Sequence, residues 1–242
     1  RISFRKFLDI KEDDTIPDET TICKFRNALI KNNLLESIFK EVKNSMIEKN
    51  LILNEGTLVD ATLIHSSEPK RKKDENGKTI SNKANDEDAS YTSKRGRKHH
   101  GYKIHIATDT NSIIKEIITT TAKTHDSTQF DELIKDETKA VFADSGYMSQ
   151  NRKRELRAKG IFNGITERRV RGQSKLRVKQ SKNNTKFSKV RALVELPFAF
   201  IKKLMKYTET KYLGLHKNSQ HVFLIAAAYN LRRMPKLIQR YE

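Results

Sequence analysis

The chain has 242 residues, of which 49 are Lys or Arg and 30 are Asp or Glu, so its formal net charge is +19. This charge favours a polyanionic partner, above all nucleic acid. Hydrophobic residues make up 36% of the chain, which is enough for a core but not for a membrane-embedded protein. The single cysteine, Cys23, excludes an intramolecular disulfide and a zinc finger, and it fits a reducing, cytoplasmic setting.

Residues 1–50 carry two helical patterns. Ile22, Phe25 and Leu29 recur at helical spacing, and apolar residues from 34 to 47 repeat in the same way. They predict an N-terminal helical region that binds DNA or mediates dimerisation, as a helix-turn-helix or an ordinary helical hairpin. Because the chain opens on Arg1 within an amphipathic pattern, we expect this region to be truncated.

The pattern changes to that of strands at residue 57. Residues 57–64 alternate like a β-strand, with Asp60 in the middle of it. Residues 66–100 are polar and contain almost no aliphatic side chains, which predicts a long mobile loop. Two further strands, at 102–108 and 113–121, then predict a hairpin.

The rest of the chain alternates helices and strands, with Asp126 and Ser149 as predicted helix N-caps. The predicted elements are a helix from 126, a strand at 140–143, a helix ending at 160, a strand at 161–166, and helices at 186–206 and 222–233. This order predicts an α/β fold for residues 51–242, with a mixed (α+β) sheet and helices on its faces. It is the order of a ribonuclease H-like fold.

Two carboxylates stand at unusual places in these strands. Asp60 lies inside an apolar strand, where an unpaired carboxylate is costly, and Asp144 directly follows a buried strand and precedes Ser-Gly. Acids at such positions can reach a common point at the edge of a sheet. The alternative is that each is a structural Asp that makes local turn hydrogen bonds.

Glu195 is the third candidate. On a helix, Arg191, Glu195 and Lys202 fall within about 40° of one another. The alternative is an ordinary surface pair between Arg191 and Glu195. Pro197 lacks an N–H group, so it predicts a kink in the helix just after Glu195.

Three carboxylates from two strands and a helix would suit two Mg²⁺ ions, which prefer oxygen ligands. Two such ions activate the attacking oxygen and stabilise the leaving oxygen in phosphodiester cleavage. Cationic side chains would hold the DNA backbone beside them. The candidates for this role lie on the same helix and in the basic stretches: Arg191, Lys202, Arg168, Arg169, Arg171, Lys94, Arg95, Arg97 and Lys98.

The chain also carries a series of short motifs. They are SFRKFL at 3–8, IPDETT at 16–21, TLVDA at 57–61, HGYK at 100–103, THDS at 124–127, ADSGY at 143–147, VRALVE at 190–195, YLGLHKN at 212–218 and NLRR at 230–233. In these motifs the chain resembles bacterial insertion-sequence transposases of the IS-five group, which carry a DDE catalytic triad on a ribonuclease H-like fold. The resemblance covers nearly the whole chain.

The resemblance implies a catalytic triad of Asp60, Asp144 and Glu195, which would also be the metal ligands. It implies two Mg²⁺ ions, with Mn²⁺ able to substitute, and double-stranded DNA as the substrate. The enzyme would cleave the ends of its own element and join them to target DNA, as a homodimer in the synaptic complex. Its setting would be the bacterial cytoplasm, in association with the nucleoid.

Two residues depart from the pattern of this family. Ser188 stands where the motif around the glutamate has a Tyr, and Leu196 follows Glu195 where a His is often seen. Neither departure removes a metal ligand, but both change side chains that would contact the substrate.

Three alternatives remain open from the sequence. One is a metal-dependent nuclease of the same fold, which cuts DNA without joining it, and another is a truncated, non-catalytic DNA-binding remnant. The third concerns a different site: His99, His100 and His105 cluster near Asp109, as a transition-metal site would require, but their spacing matches no standard site.

Overall fold

A computed structural model describes residues 2–68, 71–73, 79–81, 86–94, 96–137, 139–169 and 172–241, with the backbone alone at 71–73, 79–81 and 241. In chain order its helices are α1 (Ile2–Phe7), α2 (Glu19–Lys31), α3 (Leu34–Glu48), α4 (Phe130–Leu133), α5 (Gln150–Ala158), α6 (Val178–Arg191), α7 (Glu195–Ala199) and α8 (Leu215–Tyr241). Its strands are β1 (Thr57–His65), β2 (Arg71–Lys73), β3 (Thr79–Ser81), β4 (Ser90–Lys94), β5 (Arg97–Thr108), β6 (Ile114–Thr121), β7 (Ala140–Ala143) and β8 (Phe162–Asn163).

Two of the N-terminal helices, α2 and α3, carry the two predicted helical patterns. The Asp18 carboxylate caps α2 by accepting the backbone N–H of Thr21 at 2.6 Å, and Asn33 separates α2 from α3 in the left-handed conformation, with φ at 55°. Phe39 and Met46 of α3 are buried, and α3 packs on α8. The N-terminal helical region is therefore attached to the rest of the chain through α3.

The main sheet is mixed, as predicted. β1 pairs antiparallel with β5 on one side and parallel with β7 on the other, and β7 pairs parallel with β8. The far edge of β5 pairs with two strands, because β4 runs along its first part and β6 along the remainder. The strand order places β1 in the centre of the sheet, which is the ribonuclease H-like arrangement.

Apolar side chains cover both faces of this sheet. Leu58 and Val59 are neighbours on β1 and both are fully buried, so they belong to different faces. On the face of Leu58 lies a cluster with α8 residues such as Ala226, and on the face of Val59 lies a cluster with Phe130 and Leu156. This double cover holds the central strand, and Asp60 with it, in a fixed position.

A glycine allows the close approach of β1 and β5 at one end. Gly101 has φ at 146°, and a Cβ there would stand 2.1 Å from the carbonyl oxygen of Ile64. Any other residue would push β5 away from β1 at this point. This close approach explains why the HGYK motif has a glycine at position 101.

The segment from 66 to 100 is more ordered than the predicted loop. β4 and the start of β5 lie within it, and Asp86 is buried where it accepts the hydroxyl of Tyr102 at 2.6 Å. The prediction of a loop is therefore wrong for the strands within it, which are β2, β3, β4 and the start of β5. Polar residues suit the exposed face of an edge strand, so the sequence pattern resembles that of a loop. Residues 69–70, 74–78 and 82–85 lie outside the described part of the chain.

Three other predicted boundaries are also wrong. The strand predicted at 161–166 is reduced to Phe162–Asn163, α6 begins at Val178 rather than 186, and α8 begins at Leu215 rather than 222. The early start of α6 falls in a polar stretch without apolar periodicity, so the sequence pattern does not predict it. No helix in the described ranges is both long and apolar enough to cross a membrane.

A buried amide joins α8 to the sheet and gives a test of the fold. The side chain of Asn230 accepts the N–H of Ile114 and donates to its carbonyl, both at 3.0 Å, and Asn230 is fully buried. Replacing Asn230 by Ala leaves both backbone groups of β6 unsatisfied, so we expect a loss of about 2–4 kcal/mol in the free energy of unfolding.

Urea titration of the purified variant measures this loss. Leu231→Ala is the matched control, because Leu231 is half exposed on the same helix and its loss should stay within about 0.5 kcal/mol. A loss below about 1 kcal/mol for Asn230→Ala would contradict this role of the amide.

Candidate active site

Asp60 and Asp144 lie at the point where two parallel strands separate. The pairing of β1 with β7 ends at Val59 opposite Ala143, and the two aspartates are the next residues on the two strands. β1 continues along β5, where Asp60 pairs with Ile106, while the chain turns away after Asp144. The sheet thus places Asp60 and Asp144 at neighbouring positions, and the charge of Asp144 acts on Asp60.

An arginine on α6 neutralises Asp60. Oδ2 of Asp60 accepts the Arg191 guanidinium at 2.5 Å, and Oδ1 accepts the backbone N–H of Ala61 at 2.8 Å. Burial raises the pKa of Asp60 above its usual value, although Ala61 and Arg191 counteract this, and the negative charge of Asp144 raises it further. The side chains of both Asp60 and Arg191 remain a quarter exposed, so solvent and ligands can reach the pair.

Asp144 is more exposed than Asp60 and is held by local hydrogen bonds. Its Oδ1 accepts the backbone N–H of Ser145 at 2.5 Å, which begins a 3₁₀ turn, and it lies 3.5 Å from the hydroxyl of Thr166. Nε of Arg168 donates to the hydroxyl of Ser145 at 2.9 Å. The local turn contacts that the sequence left as an alternative are present, and they leave Oδ2 of Asp144 without a hydrogen bond among the described residues.

Glu195 is the first residue of α7 and is exposed. Within the described ranges, no hydrogen bond or ion pair joins it to Asp60 or Asp144, and no group of three or more His, Cys, Asp or Glu side chains stands ready to hold a metal ion. Arg191, four residues earlier, is the side chain from this segment that contacts Asp60. The convergence of all three carboxylates stays a prediction.

The helix around Glu195 is irregular, as Pro197 predicts. A 3₁₀ segment, Ala192–Val194, precedes Glu195, and a π-helical segment, Phe200–Leu204, follows α7. Pro197 has no N–H to donate to the carbonyl of residue 193. A change from one helix type to another alters the angle between successive side chains, so the residues after it point in different directions from those of a regular α-helix.

Lys94 brings further positive charge to Asp60, and Lys202 lies near Lys94. Lys94 at the end of β4 acts electrostatically on both Asp60 and Lys202. Burial lowers the pKa of Lys202, and the nearby charge of Lys94 lowers it further. The structure therefore brings two of the predicted DNA contacts, Arg191 and Lys94, to Asp60, and a third, Lys202, within electrostatic reach of Lys94.

The other predicted DNA contacts lie farther along the surface. Arg97 and Lys98 are exposed at the start of β5, and Arg168 and Arg169 are exposed between β8 and α6. Arg168 is connected to the turn of Asp144 through Ser145. Arg95 and Arg171 lie outside the described residues.

Two residues that hold the Asp144 turn, Arg152 and Tyr147, are not among the predicted site residues. Arg152 donates to the carbonyl of Tyr147 at 2.5 Å and to that of Ser127 at 2.9 Å, while its guanidinium stacks over Phe130. Tyr147 is buried, and its hydroxyl has no hydrogen-bond partner among the described residues. Burial raises the pKa of Tyr147, and the charges of Asp126, Asp60 and Asp144 raise it further. The ADSGY motif was the available signal for Tyr147.

The THDS motif has a different role from the predicted one. The helix N-cap is His125, whose Nδ1 accepts the N–H of Ser127 at 3.3 Å, and not Asp126. Asp126 instead pairs with Nζ of Lys103 at 2.9 Å. The prediction of Asp126 as N-cap is wrong because the first turn is 3₁₀ and begins one residue earlier.

The candidate histidine cluster separates into different environments. His105 is fully buried, with Nε2 2.8 Å from the hydroxyl of Thr120, and burial lowers its pKa to about 4. His99 stacks on His65, while His100 stacks on Tyr91. Asp109 is fully buried as well and accepts the N–H groups of residues 53 and 113. Each of these residues has a structural partner of its own.

The chemistry of the site fits a divalent cation. Asp60 and Asp144 supply hard oxygen donors, and the guanidinium of Arg191 already occupies Oδ2 of Asp60 as a positive group. The buried hydroxyl of Tyr147 has no hydrogen-bond partner among the described residues. Asp60 and Asp144 would hold such an ion, with Glu195 as the predicted third ligand.

Comparison with known proteins identifies the family. The family described as Transposase DDE domain matches residues 53–231, which include both aspartates, Glu195 and the cations around them. No solved structure matches the chain. Since the match covers most of the sequence and the sheet has the expected ribonuclease H-like order, the chain belongs to the DDE transposase domain family.

Proposed function

We propose that this DDE transposase belongs to the IS-five group, and that it cleaves the ends of its own element and joins them to target DNA. The observation that carries the proposal is the pair Asp60 and Asp144, side by side where β1 and β7 separate, with two cations, Arg191 and Lys94, acting on Asp60. Members of the family act on DNA and generally use divalent metal ions. We assign Mg²⁺ to this role, with Mn²⁺ able to substitute.

The residues divide into two groups by their charge. Asp60, Asp144 and Glu195 would hold two metal ions. Such ions, when bound, act as Lewis acids that stabilise the attacking and leaving oxygens of phosphodiester cleavage. Arg191 and Lys202 would hold the phosphate in position beside them. In this mechanism the chain needs no covalent nucleophile of its own.

The pair of Arg191 with Asp60 has a consequence for metal binding. A guanidinium on Oδ2 competes with any other cation for the same oxygen. Replacing Arg191 by Gln removes the competitor, so we expect Mn²⁺ to bind the DNA-free protein on the order of tenfold more tightly. Isothermal titration calorimetry with Mn²⁺ and no DNA measures the change.

Lys189→Gln is the matched control, because Lys189 is exposed on the same helix and its loss changes the net charge equally. We expect this control to change the affinity far less. Equal effects of the two substitutions, or weaker Mn²⁺ binding by Arg191→Gln, would contradict a direct competition at Asp60.

We also propose that residues 1–50 bind DNA or mediate the homodimer of the synaptic complex, and that residues 51–242 form the catalytic domain. Large apolar side chains on the N-terminal helices support a contact surface, since Phe7 is 84% and Phe25 is 65% exposed. The two domains would touch through α3, whose residue Phe39 packs into the main cluster.

Incubation with labelled element ends in Mg²⁺ tests the proposed function. A transposase yields cleaved ends and products joined to target DNA, and a nuclease of the same fold yields cleaved ends alone. A non-catalytic remnant binds the DNA and yields neither product. The outcome separates the three functions that the sequence leaves open.

A further inference from the structure

A groove of about 770 Å³ lies between α5, β8 and α6. Two aromatic rings, those of Phe162 and Phe187, lie in its wall with their centroids 5.7 Å apart. Phe162 is 53% exposed although it belongs to a strand of the main sheet. The groove therefore presents an aromatic surface to solvent, which is unusual for a strand of a folded domain.

The rim of the groove is positively charged. Lys153, Arg157 and Lys186 are exposed along it, and among the described residues Glu167 is the one carboxylate in its lining. Glu167 is occupied, since it lies 3.5 Å from Nζ of Lys153 and accepts the amide of Gln180 at 2.6 Å. Arg157 and Lys186 thus remain available for an anionic ligand.

One end of the groove lies beside the candidate active site. Glu167 lines the groove, and the preceding residue, Thr166, places its hydroxyl 3.5 Å from the carboxylate of Asp144. A DNA strand whose phosphate lies at Asp144 could therefore continue along α5 and α6 without leaving the protein surface.

We propose that this groove binds unpaired nucleotides of the DNA substrate, an inference that rests on the proposed function. Aromatic side chains stack on bases of any sequence, and cations beside them follow the backbone. The bases of a duplex are already stacked on each other, so they cannot present a face to Phe162. The ring of Phe162 and the cations Arg157 and Lys186 select a single strand over a duplex.

Fluorescence anisotropy in EDTA tests the proposal without cleavage. The two probes are labelled duplexes of the same sequence, one fully paired and one with four unpaired nucleotides at its end, with 2-aminopurine among them. We expect the wild type to bind the unpaired end more tightly. Phe162→Leu, which keeps an apolar side chain but removes the flat ring, should weaken binding to the unpaired end by about 5- to 150-fold.

The controls separate stacking from folding. Phe162→Tyr keeps a flat ring and should retain the preference, and Leu231→Ala, at an exposed apolar side chain on α8, should leave the preference unchanged. Arg157→Ala, at an exposed position, should lower the salt slope for the unpaired probe by about 0.7. Quenching of 2-aminopurine on binding should be present in the wild type and lost in Phe162→Leu.

Equal affinity of the wild type for the two probes would overturn the proposal, as would an equal loss on both probes in Phe162→Leu. Failure of the proposed function gives a different result. If the wild type neither cleaves nor joins DNA in Mg²⁺ but still prefers the unpaired probe in EDTA, the proposed function is wrong and the groove proposal stands. If the wild type joins DNA but shows no preference for the unpaired probe, only the groove proposal is wrong.

Discussion

Replacing Asp60 or Asp144 by Asn is expected to lower the rate of DNA cleavage by at least about 10³-fold. Asp60 and Asp144 occupy neighbouring positions where β1 and β7 separate, and an amide is a much weaker ligand for a divalent cation than a carboxylate is. Loss of several kcal/mol of transition-state stabilisation gives a factor of this size. Single-turnover cleavage of a labelled element end in Mg²⁺ measures the rate.

Asp126→Asn is the matched control, because Asp126 is a nearby carboxylate that pairs with Lys103 and is assigned no metal. We expect it to retain at least about a tenth of the wild-type rate. A cleavage rate within a factor of about ten of the wild type for Asp60→Asn or Asp144→Asn would remove these residues from the mechanism.

The affinity for DNA is expected to fall by about 10³ to 10⁵ between about 50 and 200 mM salt, if six to ten phosphates are contacted. The net charge of +19 and the exposed cations on both sides of the site supply contacts of this number. Each contact releases condensed counterions, so the logarithm of affinity falls with a slope of about −0.9 per contact. A salt titration of binding to duplex DNA gives the slope.

Two sets of substitutions test which cations contribute to this salt dependence. Joint replacement of Arg168, Arg169 and Arg171 by Ala should flatten it by up to about 0.9 for each arginine that contacts a phosphate. An equal change of charge on α8, at Arg232, Lys236 and Arg240, should flatten it less. A wild-type slope near zero would contradict the assignment of the basic charge to DNA.

Local sequence patterns predicted the elements that carry the site. The alternating strand around Asp60, the buried strand before Asp144 and the N-cap Ser149 are each determined by a few neighbouring residues, and all three are confirmed. The mixed sheet followed from the order of these elements, because a hairpin gives antiparallel neighbours and a helical crossover gives parallel ones.

Contacts between distant residues could not be predicted in this way. Arg191 and Asp60 are 131 positions apart, and the sequence placed Arg191 beside Glu195 and a phosphate rather than on an aspartate. The position of Arg152 under the Asp144 turn depends on the packing of α5 against Phe130, which no local pattern contains. The polar strand β4 was missed because an edge strand needs few apolar residues.

The orientation of Glu195 could not be predicted from local sequence either. Helical spacing puts Arg191, Glu195 and Lys202 on one face, but the 3₁₀ and π segments on either side of α7 change that spacing. Arg191 contacts Asp60, while Glu195 is exposed. Its membership of the triad therefore depends on the family pattern and on an experiment.

A strand-transfer assay tests the central claim most directly. Labelled element ends and target DNA are incubated in Mg²⁺ with the wild type, with Glu195→Gln, and with Glu209→Gln as a control at an exposed glutamate outside the site. We predict joined products for the wild type and the control, and a loss of at least about 10³-fold for Glu195→Gln, with DNA affinity unchanged. Joined products at the wild-type rate from Glu195→Gln, or none from the wild type, would contradict a DDE transposase that acts through Asp60, Asp144 and Glu195.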